Sequence, residues 1–265
     1  MNSKKPVLIG VWKNRLTYNE SIAASKQLAS QFEKEKYPFI CGVAPTPIAL
    51  AAVKSTLDQC GLVTCAQNVM WLEEKGTYIG ETTIPMLSEL DISYVILGHS
   101  ERRTTFEEGN ELISRKAIDC ISKGLVPIVC VGDTAEERAG GQTWNAIERQ
   151  VQALLESDSI TKANDLILAY EPMWAISTWR TDEPLPTGEI IAEIQADIRQ
   201  LVEKIRGKDF ATDVKILYGG SVNPKNGQDY MLRKDVDGAL IGGASLTPES
   251  LIGTFDACLE GYLGR

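Results

Sequence analysis

Short apolar runs rich in β-formers recur along the chain, and stretches with apolar residues every three or four positions fall between them. The runs are Val7 to Trp12, Phe39 to Ala44, Leu62 to Gln67, Tyr94 to Gly98, Val126 to Val131, Leu166 to Glu171, Lys215 to Tyr218 and Gly238 to Ile241. Amphipathic helices are predicted over Ser21 to Glu35, Pro47 to Cys60, Pro85 to Leu90, Glu107 to Lys123, Trp144 to Leu155, Glu189 to Ile205, Pro224 to Leu232 and Pro248 to Leu263. Runs that stay apolar instead of alternating suit strands covered on both faces, as in parallel sheets. Eight strand-helix units with short connections and no linker predict one α/β domain, residues 1–265, folded as a (β/α)8 barrel. A doubly wound sheet is the competing topology, but no G-x-G-x-x-G fingerprint supports it.

In such a barrel the carboxyl ends of the strands carry the chemistry. There the first run delivers Lys13 and the fourth breaks at Gly98 into His99, the chain's one histidine. The sixth ends in Glu171, whose backbone Pro172 holds extended. The seventh and eighth end in Tyr218-Gly219-Gly220-Ser221 and Gly242-Gly243-Ala244-Ser245. Taken singly, Lys13 reads as a solvated rim lysine, His99 as a paired core histidine and the glycine pairs as ordinary turns. Jointly, a cation, an imidazole, a carboxylate and two glycine-rich turns meet at one mouth.

Composition narrows the options. A net charge of -9 without a basic cluster argues against nucleic acid. An anionic ligand would need local cations and backbone N–H groups, because the overall field opposes it. No apolar stretch reaches the roughly 18 residues of a membrane span, and Val7 to Val11 is too short for a signal segment, so a cytoplasmic protein without membrane partners is expected. The six cysteines form no CxxC pair and one histidine offers little to zinc, so no metal or cofactor is expected. Cys130 reads as a buried core thiol. With no nucleophile beside a base, proton abstraction next to a carbonyl of a small phosphorylated molecule is the chemistry these residues suit.

Trp12-Lys13, Ala66-Gln67-Asn68, Gly80-Glu81, Leu97-Gly98-His99-Ser100-Glu101-Arg102-Arg103, Ala169-Tyr170-Glu171-Pro172, Trp174-Ala175-Ile176, Tyr218-Gly219-Gly220-Ser221-Val222 and Gly242-Gly243-Ala244-Ser245-Leu246 resemble the triosephosphate isomerase family along almost the whole chain. The resemblance implies Glu171 as the base, His99 as a neutral electrophile at the start of a helical turn, Lys13 as the cation that binds the phosphate and steadies the enediolate, and Glu101 as the residue positioning Lys13. It implies backbone N–H groups of Ser177, Ser221, Gly242 and Gly243 around the phosphate, and a lid over Met173 to Arg180 latched by Tyr218 and Ser221. It also implies a homodimer in which the loop around Trp71 to Gly80 reaches the partner.

Several positions depart from the family. Val11 stands where the family usually has a substrate-binding asparagine, Ile79 where the dimer loop has threonine, and Ser177 and Trp179 where the lid has glycine. A short insertion follows, around Thr181 to Gly188. Val11 and Ile79 are expected to meet as an apolar pair across the dimer. The leading reading is interconversion of dihydroxyacetone phosphate and D-glyceraldehyde 3-phosphate. The alternatives are a related isomerase of a tetrulose phosphate of the L-erythrulose 1-phosphate type, and a barrel that binds a phosphorylated ligand without turnover.

Overall fold

The computed structural model describes residues 4–71, 78–176 and 184–265. Eight parallel strands close on themselves: β1 (Val7–Val11), β2 (Ile40–Ala44), β3 (Val63–Ala66), β4 (Tyr94–Leu97), β5 (Val126–Val131), β6 (Ile167–Tyr170), β7 (Lys215–Tyr218) and β8 (Gly238–Ile241). Each pairs with the next, and β1 also pairs with β8, Val7 lying opposite both Ile40 and Gly238. The predicted (β/α)8 barrel is therefore present, with the strands inside the eight apolar runs.

The helices are α1 (Tyr18–Gln31), α2 (Leu50–Leu57), α3 (Ile84–Glu89), α4 (Ser100–Thr105), α5 (Asn110–Ser122), α6 (Ala135–Ala139), α7 (Thr143–Leu155), α8 (Gly188–Arg206), α9 (Lys208–Asp213), α10 (Gly227–Met231) and α11 (Pro248–Leu263). Period-two alternation divides each strand between two cores. Val7, Ile9 and Val11 join Cys65, Ile96, Ile128, Cys130 and Leu240 inside the barrel, while Leu8 and Trp12 pack outward with Leu28, Phe255 and the other helix-facing residues. Both faces of β1 are buried, which is why its sequence is apolar throughout.

Helix starts differ from expectation where capping governs them. α1 begins three residues before Ser21, because Thr17 and Glu20 form a reciprocal capping box. α5 begins at Asn110 and not Glu107, whose φ of 54° is incompatible with a helix. Pro47–Ala49 forms a single tight turn ahead of α2. None of the described helices is long and apolar enough to cross a membrane.

Candidate active site

β1 places Lys13 at the barrel mouth. The indole N–H of buried Trp12 donates to the Ser245 carbonyl at 3.0 Å, anchoring the strand end to the turn after β8. Lys13 itself adopts φ 51°, a left-handed conformation uncommon for a residue with a side chain. The Gln67 amide holds it there by donating to the carbonyls of Lys13 and Ala44 at 2.8 and 2.9 Å. Lys13 Nζ contacts Glu101 Oε1 at 2.7 Å. Lys13 and Glu101 are thus in direct contact.

β4 ends at Gly98, whose φ of 65° turns the chain from strand into α4. His99 is the N-cap of α4, and its Nδ1 accepts from the Glu101 backbone N–H at 3.2 Å. An accepting Nδ1 leaves the ring proton on Nε2, the neutral tautomer with its donor at the other end. That Nε2 lies 3.2 Å from Glu171 Oε1. Arg103 braces the turn by donating to the carbonyls of Gly98 and Cys130 at 2.8 and 3.0 Å.

β6 delivers Glu171, which is buried. Its N–H donates to the Val131 carbonyl at 2.8 Å, extending the β5 pairing by one bond, and Met173 N–H donates to the Asp133 carbonyl beyond Pro172. Glu171 Oε2 accepts from the Ser100 N–H at 3.1 Å. Gly219 backs directly on this side chain: a Cβ there would stand 2.6 Å from Glu171 Cγ. Cys130 is buried beside the carboxylate, and burial pushes its thiol well up, so it behaves as the core thiol expected.

Lys13, His99 and Glu171 share one cavity of about 190 Å³ with Val11, Ile176, Gly219, Gly220, Ser221, Asn223, Leu240, Gly242 and Gly243. A Cβ added at Gly242 or Gly243 would meet no atom within 4 Å, so the protein leaves open space over that backbone. Ser221 Oγ donates to the Ala175 carbonyl at 2.7 Å, joining the turn after β7 to the segment after β6. Among the described residues no group of three or more histidine, cysteine, aspartate or glutamate side chains could hold a metal ion.

A model of the triosephosphate isomerase family matches residues 6–258. The chain belongs to the triosephosphate isomerase family. It is 37% identical over 246 residues to the triosephosphate isomerase of Caldanaerobacter subterraneus subsp. tengcongensis, covering 93% of this chain and 96% of that one. It is 40% identical over 250 residues to that of Citrifermentans bemidjiense, covering 92% and 94%, and 38% identical over 243 residues to that of Clostridium perfringens, covering 92% and 95%.

Within this triosephosphate isomerase barrel, Lys13, His99, Glu101 and Glu171 come together as expected, and Val11, Ser221, Gly242 and Gly243 line the same cavity. Ser177 and Trp179, expected at the phosphate and over the pocket, lie outside the described residues, as do the rest of the lid segment from 177 to 180, residues 181–183 of the insertion and the loop residues 72–77. Ile79 is fully exposed. Tyr218, expected as a lid latch, is buried with its ring 4.6 Å from that of Tyr230. Sequence reasoning assigned no role to Gln67 or Arg103. Gln67 follows a strand end, as Lys13 and His99 do, and that position was the signal to weigh.

Proposed function

We propose that the chain is an aldose–ketose isomerase that interconverts dihydroxyacetone phosphate and D-glyceraldehyde 3-phosphate through an enediolate. The observation that carries the reading is the 3.2 Å approach of His99 Nε2 to Glu171 Oε1 beside Lys13 in one small cavity. Glu171 exchanges its present contacts for the substrate, takes a proton from C1 of the ketose and returns it to C2. His99, with its proton on Nε2, donates to the carbonyl oxygen and passes protons between the two oxygens. Lys13 places a positive charge against the developing enediolate, where a buried, preoriented group is most effective. Backbone at Ser221, Gly242 and Gly243 receives the phosphate, supported by the open space over the two glycines.

The working unit is inferred to be a homodimer of single-domain barrels. Exposed Ile48, Ile79 and Phe106 lie on or next to a groove of about 470 Å³ lined in part by Pro47, Gly80 and Phe106. Apolar surface of this kind is what a second copy covers. Six free cysteines suit a reducing compartment such as the cytoplasm.

The test is turnover of glyceraldehyde 3-phosphate and of a panel of tetrulose and pentulose phosphates, with Glu171→Gln as the blank. Fast triose turnover lost in the variant is expected. A strong tetrulose rate with a weak triose rate would replace this reading, and binding without turnover would remove it. Light scattering should give twice the mass of one chain, and Ile79→Asp should lower it.

A further inference from the structure

The reaction cavity has a larger neighbour. The groove of about 470 Å³ opens beside it, and the two share three lining residues, Val11, Lys13 and His99. Ser221, Gly242 and Gly243 line only the reaction cavity, so the groove adjoins that cavity on a side other than the one these three residues form. Lys13 and His99 are engaged in polar contacts with Glu101 and Glu171. Val11 contributes only methyl groups to the partition. We infer that the Val11 side chain is the wall that limits the substrate to three carbons, which makes Val11 the specificity-determining residue of the isomerase proposed above, on whose reading this rests.

The wall is fixed from three directions. Val11 is the last residue of β1, in register with Ala44 of β2. Its side chain packs in the barrel interior with Ala44, Cys65, Ile96 and Leu240, leaving only 7% of the residue exposed. The residue after Trp12 is pinned by Gln67, so the strand end does not swing aside. A β-branched side chain also has few rotamers through which to yield. A substrate held by its phosphate at the Ser221–Gly243 side therefore carries its far carbon toward the Val11 methyls. One more carbon at that end would occupy their volume. Trimming valine to alanine removes two methyl groups and joins the two spaces. In the proposed dimer a second copy covers the groove from outside, and the space freed by those methyls still lies inside the wall.

Size is the selecting property, and this separates the inference from a loss of polarity. Threonine matches valine in shape while adding a hydroxyl, whereas alanine and serine are both smaller.

The test compares kcat/KM for dihydroxyacetone phosphate and for a four-carbon ketose 1-phosphate, erythrulose 1-phosphate, in the wild-type protein and in Val11→Ala, Val11→Ser and Val11→Thr. One methylene in an apolar site discriminates by about tenfold or more. The wild-type protein should therefore favour the triose by at least about that factor. Val11→Ala and Val11→Ser should raise the four-carbon to three-carbon ratio by about tenfold, while Val11→Thr leaves the ratio within about threefold. Serine carries the comparison if alanine compromises folding, which a thermal scan reports. An unchanged ratio in both small variants, an equal change in the threonine variant, or equal wild-type rates on both substrates would overturn the assignment. A wild-type protein inactive on both would overturn the isomerase reading and this inference with it; an active one with an unchanged ratio would overturn this inference alone.

Discussion

Single side chains set the reactivity through short, fixed contacts. Glu171 is held by the Ser100 N–H at 3.1 Å and faces His99 at 3.2 Å, so its reach is defined to within a bond length. Glu171→Asp withdraws the carboxylate by about one bond, a displacement that costs on the order of 10² in rate when the base must meet a particular proton. Inhibition by inorganic phosphate should change little, because phosphate is received at the other end of the cavity. Equal losses in turnover and phosphate affinity would contradict the role of the base. Glu101 acts differently, through the Lys13 ammonium 2.7 Å away. Glu101→Gln keeps a hydrogen-bond acceptor but loses the charge that centres Lys13. It should lower kcat about tenfold with a smaller change in KM, as steady-state kinetics with the triose would show.

α4 is only six residues long, yet it carries His99 at its cap and Glu101 in its first turn, so its attachment to the barrel decides where both side chains stand. Arg102 on this helix meets Glu108, which in turn meets Lys116 of α5, both contacts at 2.7 Å. Burial alone would raise the Glu108 carboxyl, but bonds from Arg102 and Lys116 outweigh it and hold the carboxyl below its usual value. Glu108→Ala would leave Lys116, 2% exposed, as an uncompensated buried cation. A loss of about 3–5 kcal/mol is expected in urea unfolding. At this scale the sequence was legible in an uneven way. The strands could be read because both faces are covered and the runs are apolar throughout. Helix starts could not be read where a turn sets them, as with the Thr17–Glu20 box or the left-handed Glu107. α6 and α9, at five and six residues, are too short to show a period. The site followed the same logic. Lys13, His99 and Glu171 could be found because strand ends mark them, whereas the bonds by which Gln67 and Arg103 support them join residues 54 and 27 positions apart.

The molecule as a whole carries a chemical liability in its core. Burial pushes the thiols of Cys120 and Cys258 up to about 12 and raises those of Cys41, Cys65 and Cys130 as well. Unfolded, these thiols lose their protons near pH 8.5. A proton affinity raised by folding contributes stability that is complete below that value and is lost as pH climbs toward the folded value, at about 1.4 kcal/mol per pH unit for each thiol. Lys4, held down at about 8 mainly by burial, and Lys116, also lowered mainly by burial, work in the opposite sense as pH rises toward their unfolded values, but they are two groups against five thiols. The urea midpoint should therefore fall from pH 8.5 to 10.5, and Cys258→Ala should make the fall shallower. A midpoint that stays flat over this range would contradict the account.

The pairing of β1 with β8 has a consequence for how the protein can be made. Ribosomal synthesis delivers Val7 first and Ile241 last among the strand residues that close the ring, so β1 must wait until β8 is made before its second edge is covered. Lys13 and Gly242, from the two ends of that chain, become neighbours of one cavity only at that moment. A growing polypeptide released before residue 238 leaves β1 without that partner and cannot supply both ends of the cavity. Such a fragment is inactive and exposes strand edges to its neighbours, which makes premature release from the ribosome a hazard of aggregation.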